Sequence, residues 1–170
     1  MVKTFIMKKL RLLLLGVFCI SINICSAQKS TLHYIDKFLP IAKDLSAQWG
    51  IPVSIILGVS ILESGSGTSI NCKQLHNYFG IKGHNHLKKR HTKYKQYATS
   101  EESFNDFCSI VSRKKYYPKL KGNMDYKLWL SAMNERHYAG AKEVWIHRIR
   151  LLIAKHELYQ YDDQTTSVAQ

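Results

Sequence analysis

Acidic residues are the scarce component of this chain. Only 12 Asp and Glu stand against 25 Lys and Arg in 170 residues, a formal charge of +13 at pH 7. In one long stretch the scarcity is complete: no carboxylate occurs between Glu63 and Glu101. Such a chain seeks polyanions, whether nucleic acid, anionic lipid or an acidic wall polymer. Cysteine is also sparse, with four in all and no CxxC. No His/Cys cluster has ligand spacing either, so a zinc site is not supported. Internal repeats and low-complexity linkers are lacking, and the length suits one domain. What remains is enough to fold: 45% of residues are hydrophobic and 22% charged, sufficient for a real core.

The N-terminal stretch "MKKLRLLLLGVFCISINICSAQ" has a basic start, an apolar middle and a small residue before a cut site. It reads as a secretory signal over residues 1–27, cleaved after Ala27. Its apolar part is short and interrupted by Ser21 and Asn23, which weakens a spanning helix. No stable membrane span is expected after cleavage. Neither Cys19 nor Cys25 follows a small residue, which disfavours a lipid-anchored cysteine. Lys3, Lys8, Lys9 and Arg11 leave with the signal, and subtracting these four from +13 gives +9. Cys72 and Cys108 remain, and two readings stay open for them: a disulfide formed in an oxidising compartment, or two buried free thiols.

The mature domain is expected over residues 28–163, with a polar tail over 164–170. "YIDKFLPIAKDLSAQWG" has helical spacing up to Gly50, with Pro40 as a candidate kink. "IPVSIILGVSILES" is apolar nearly all round, the pattern of a buried central helix, and Gly65 and Gly67 end it. Residues 83–97 are basic and alternate towards their end, which fits a small hairpin or a loop. Thr99 and Glu102 have capping-box spacing before the next helix. Two more helices follow, the second carrying an apolar repeat of Val144, Ile149, Leu152 and Ile153 among Arg148, Arg150 and Lys155. The fold class is mainly α (α+β), with one small β element.

Glu63 ends the apolar run and is followed by small, flexible residues: "ILESGSG". A glutamate there is either a solvated helix end or a group held between an apolar wall and a cleft. A carboxyl with one desolvated side favours its protonated form and can serve as a general acid.

"ILESGSG", "HNYFGIKG", "YATSEESFNDF", "HYAG" and "LYQYD" follow in order. This series resembles the glucosaminidase domain of glycoside hydrolase family 73, over roughly residues 33–162. The resemblance implies a lysozyme-like fold, with a buried central helix and a small β-hairpin lobe. It implies cleavage of the β-1,4 bond after N-acetylglucosamine in peptidoglycan, with Glu63 as general acid. Asn77, Phe79, Gly80 and Lys82 would line the cleft, and Tyr138 would match the family's active-site tyrosine. No cofactor or metal is implied. The expected partner is the glycan strand of peptidoglycan, met in a secreted or periplasmic location. Nucleic acid is not an expected partner, since no such motif is visible.

The chain departs from the family twice. Many relatives have tryptophan where Ser66 stands. Many also carry a second acid in the β lobe, where this chain reads "KKRHTKYKQYATS". The two-carboxylate scheme of an ordinary glycosidase is therefore not assignable. Three substitutes remain: the substrate's own 2-acetamido group, Glu101 reaching in from its helix end, or a scaffold that binds glycan and cleaves slowly or not at all. Simpler readings compete elsewhere. Glu102 is explained as a cap, and Glu101 as a first-turn acid favoured by the helix dipole. Tyr138 could be a core tyrosine, Asn77 a turn residue and Phe79 core. His84, His86 and His91 fit a solvated face better than a metal site.

Overall fold

The computed structural model describes residues 30–88, 91–135 and 142–162, without the side chains of 134, 135 and 142. The expected signal segment, Tyr138 and the polar tail lie outside the described residues. The chain divides into two compact units, residues 1–33 and 34–170. Of the first, only residues 30–33 are described, and they are helical.

Helix α1 (residues 30–49) runs through Pro40 without a break. It is followed by α2 (Val53–Ser64), α3 (Ile70–Leu75), α4 (Ser100–Ser112), α5 (Tyr117–Leu120), α6 (Tyr126–Glu135) and α7 (Lys142–Lys155), then a 3₁₀ turn over Leu158–Tyr161. Among the described residues no helix is long and apolar enough to cross a membrane.

Helix α2 is the axis of the fold, and its residues Val53 to Ile61 are all buried. Its first turn has no side-chain cap of its own, because Pro52 precedes it. The cap comes from the other end of the chain. The buried Asp162 accepts the Ser54 N–H at 2.8 Å and the Ser54 hydroxyl at 2.6 Å. A carboxylate at a helix N-terminus satisfies an orphan donor and complements the helix dipole.

Helix α7 lies tightly on α2. A Cβ on Gly58 would stand 3.0 Å from Ile153 Cγ1 and 3.2 Å from Ile149 Cγ2. Glycine in mid-helix costs about 0.5–1 kcal/mol relative to alanine, and here it admits the neighbouring helix. Trp145, Ile149 and Ile153 form the buried face of α7, spaced i, i+4, i+8. Val144, grouped with that face in the sequence reading, is 58% exposed. It sits one residue off the stripe.

An aromatic group backs the other side. Phe79 stacks on Phe107 with centroids 4.2 Å apart, and Phe38 stacks on Phe104 at 5.0 Å. Cys72 and Cys108 are both buried and unpaired, so the free-thiol reading describes them.

The β element is less regular than a hairpin. Among the described residues it holds one antiparallel bridge, Lys82 to Tyr94. Residues 81–83 lie on one edge of the central segment, where Lys95 N–H donates to Ile81 O and Gly83 N–H to Lys93 O. The chain then crosses to the other edge, where Gln96 N–H donates to His84 O. Gly83 permits the crossing, since a Cβ there would meet the Lys95 side chain at 2.9 Å. Beyond the crossing, the Asn85 amide donates to Thr92 O and Tyr94 O. A side chain thus replaces the next rung of the ladder.

Candidate active site

Glu63 occupies the last turn of α2 and is half-buried. The chain turns sharply beyond it through Gly65, Ser66 and Gly67, with φ of 58°, 53° and 78°. The Gly65 N–H returns to Ile61 O, and the Gly67 N–H donates to Ser64 Oγ at 2.9 Å. Both glycines take the left-handed conformation that the turn needs. A Cβ on Gly67 would lie 3.2 Å from the Tyr34 ring, against the core. Ser66, where many relatives have tryptophan, is itself left-handed.

The two carboxyl oxygens of Glu63 have different surroundings. Oε1 accepts the indole N–H of Trp145 at 2.9 Å. Oε2 faces Gly80, where an added Cβ would stand 3.6 Å from it and 3.8 Å from Tyr94 Cε1. Gly80 has φ of +65°, a conformation that favours glycine. The missing side chain at Gly80 thus leaves room in front of Oε2. An open depression of about 320 Å³ lies there, lined by Glu63, Phe79, Gly80, Ile81, Lys82 and Ile110.

The sequence-predicted residues fall into three groups. Glu63, Phe79, Gly80 and Lys82 come together around the depression. Phe79 is buried in the aromatic stack behind it, and Lys82 is exposed at its rim. Asn77 does not line it. It is 1% exposed, and its amide is spent on the backbone. It donates to Ile81 O and Lys95 O, each at 2.8 Å, and accepts the Ile81 N–H at 3.1 Å. Asn77 therefore shapes the loop that presents Gly80.

Glu101 is not brought to the depression. It is exposed in the first turn of α4. The α4 residue at the depression is Ile110, roughly 13 Å further along the axis at 1.5 Å per residue. Glu102 caps instead: its carboxylate accepts the Ala98 N–H at 2.9 Å, and its own N–H donates to Thr99. Tyr138 lies outside the described residues. Tyr117 packs inward and donates its hydroxyl to Trp49 O at 2.6 Å.

A further acid, Asp106, stands one turn before Ile110 on α4. Burial pushes its carboxyl up, but hydrogen bonds from Lys95 and Tyr97 and the charges of Lys95 and Arg113 outweigh that and hold it below the usual range. It ties the β segment to α4 through Lys95 at 2.6 Å and the Tyr97 hydroxyl at 2.8 Å.

Sequence reading missed Trp145. Its partner is 82 residues away, and no local pattern links the two. The one available signal is the i, i+4, i+8 stripe that Trp145 begins.

A buried helix delivering one acid to an open depression, with a small irregular β wall opposite, defines the class: a mainly helical, lysozyme-like domain. The family model described as mannosyl-glycoprotein endo-beta-N-acetylglucosaminidase matches residues 39–158. The chain belongs to this glucosaminidase family and is a glycoside hydrolase. No curated protein matches it. Among solved structures, it is similar to the catalytic domain of the autolysin Auto from Listeria monocytogenes, at 21% identity and a TM-score of 0.66 over 78% of this chain and 88% of that one. It is similar to a peptidoglycan hydrolase from Sphingomonas sp. A1, at 22% identity and a TM-score of 0.59 over 81% and 97%. The glycoside hydrolase domain of FlgJ from Salmonella typhimurium is also similar, at 20% identity and a TM-score of 0.60 over 82% and 96%. At these identities the likeness is one of fold.

Proposed function

We propose that the protein is an exported peptidoglycan hydrolase that cleaves the β-1,4 bond after N-acetylglucosamine, with Glu63 as general acid. One observation carries this reading: Glu63 ends a buried helix with Oε1 held and Oε2 open to the depression at Gly80. Peptidoglycan as substrate draws support from the family and from the likeness to a peptidoglycan hydrolase of Sphingomonas sp. A1. The basic chain suits an acidic wall.

In the reaction, Glu63 gives its proton to the glycosidic oxygen as the bond to C1 breaks and positive charge grows at C1. Among the described residues Glu63 is the only acid lining the depression. The substrate's 2-acetamido oxygen then closes on C1 to form an oxazolinium ion. Water opens the ring, and the Glu63 carboxylate takes that water's proton. Gly80 and Lys82 flank the sugar, Phe79 backs them from the core, and Tyr138 is the proposed polar support. Residues 1–27 act as the export signal, so secreted protein is expected to begin at Gln28.

Zymography on wall-containing gel, followed by mass spectrometry of reduced digestion products, tests this reading. Lysis with N-acetylglucosamine at the new reducing ends supports it. Muramic acid at those ends refutes the choice of bond. Glycan binding without lysis favours the second reading, a binding scaffold that lacks a second carboxylate.

A further inference from the structure

We infer that Trp145 is a positioning residue that selects which oxygen of Glu63 carries the transferable proton. The inference rests on Glu63 being the acid. An indole N–H can only donate, so its partner oxygen serves as the acceptor. With Oε1 accepting from Trp145 at 2.9 Å, the carboxyl proton belongs on Oε2. That oxygen faces Gly80 and the depression. Without Trp145 the carboxyl group can rotate about its last bond and present either oxygen in either direction.

A buried indole usually finds some hydrogen-bond partner, so one bond alone would mean little. The three tryptophans of this chain make the distinction. Trp49 donates to the Asn105 side chain at 3.2 Å, and Trp129 to the backbone oxygen of Asn123 at 2.7 Å. Both acceptors are structural. Trp145 alone among them donates to a carboxylate at the depression. Its reach is fixed by packing. Ile149, one turn along α7, lies against Gly58, five residues before Glu63 on α2. The helices therefore run antiparallel, and the close approach at Gly58 sets the indole beside the last turn of α2. Trp145 is 8% exposed, so its ring is held by surrounding atoms.

The test uses Trp145→Phe, which keeps the aromatic ring and removes the donor. On wall glycan, kcat is expected to fall about 10–100-fold, the scale of a misplaced catalytic group, while KM changes less than about threefold. The thermal midpoint is measured alongside. A second arm reads the geometry without activity. In ¹⁵N-labelled protein the indole N–H signals of the three tryptophans are resolved by NMR, and Trp145→Phe identifies the one of interest. Glu63→Ala is expected to move the Trp145 signal and to leave those of Trp49 and Trp129 in place. An unmoved Trp145 signal overturns the inference. So does full kcat in Trp145→Phe when the unaltered protein is active: positioning then fails while Glu63 stands as acid. If the unaltered protein cleaves no glycan although the signal follows Glu63, the acid reading has failed and the positioning role falls with it.

Discussion

The two walls of the depression are built by opposite means. On one side, α2 and α7 meet through close-packed side chains, with Gly58 against Ile149 and Ile153 and Trp145 bonded to Glu63. On the other, none of the described residues of 81–96 is buried, and they hold their shape through side-chain amides and a few backbone bonds: Asn77, Asn85 and one bridge. Close packing tolerates little displacement. Segments with few buried apolar contacts open at lower free energy. Glu63 thus sits on the stiff wall and faces the adaptable one.

Substitutions on the two walls should therefore separate chemistry and stability from substrate handling. The largest effect is expected at Glu63. Glu63→Gln keeps the shape and the Oε1 acceptor but supplies no proton, so wall lysis should fall ~10²–10⁴-fold. Its melting temperature should stay near that of the unaltered protein. Near-full lysis by this variant would remove Glu63 from the chemistry.

Asp162→Ala attacks the far end of the same wall. It strips two hydrogen bonds to a charged acceptor and leaves the buried Ser54 N–H without this partner. A loss of about 1.5–3 kcal/mol is expected in urea unfolding. A change under ~0.5 kcal/mol would show that the cap contributes little.

Gly58→Ala forces a methyl group against Ile149 and Ile153. Overpacking costs ~1–3 kcal/mol, against a gain in helix propensity of about 1 kcal/mol. The net effect should be a modest destabilisation. Activity should fall further than stability alone explains, because α7 carries Trp145. If lysis tracks stability alone, the stiffness of this wall does not matter to catalysis.

On the adaptable wall, Asn77→Ala removes three bonds to backbone groups. It should raise KM more than it lowers kcat, with a stability loss of ~1–2 kcal/mol.

The smallest effect concerns Asp106. Its folded carboxyl is held below its ordinary range. The folded state then binds fewer protons than the unfolded one, and the contribution is present at neutral pH. It is lost as pH falls from the ordinary carboxylate value through the depressed folded one. Lys95 is 41% exposed, and such pairs contribute only ~0.2–1 kcal/mol. The gap in melting temperature between the unaltered protein and Asp106→Asn should narrow from pH 7 to pH 3. A constant gap would show that charge is not the source.

What the sequence revealed follows the range of each interaction. The apolar run before Glu63 is local, and the buried helix could be read from it directly. Motif order brought Phe79, Gly80 and Lys82 to Glu63, because a short stretch carries all three. Alternation left a hairpin or a loop open for residues 83–97, and the single bridge with its crossing at Gly83 was not legible, since the crossing depends on the Lys95 side chain of the opposite segment. Asn77 was read by its place in the motif, whereas its burial and three backbone partners arise only when residues 81 and 95 fold against it. Trp145 and Asp162 were beyond reach for the same reason: each acts on a residue more than eighty positions away.

Asp162 also orders events in time. The bonds it makes to Ser54 span 108 residues, and neither can form until synthesis has reached residue 162. Until that residue docks, the first turn of the central helix is without this cap, even with every other described helix in place. The finished axis of the enzyme is a product of the last described stretch of chain. A ribosome that stalls before that point leaves the helix bearing Glu63 complete in sequence but open at its first turn.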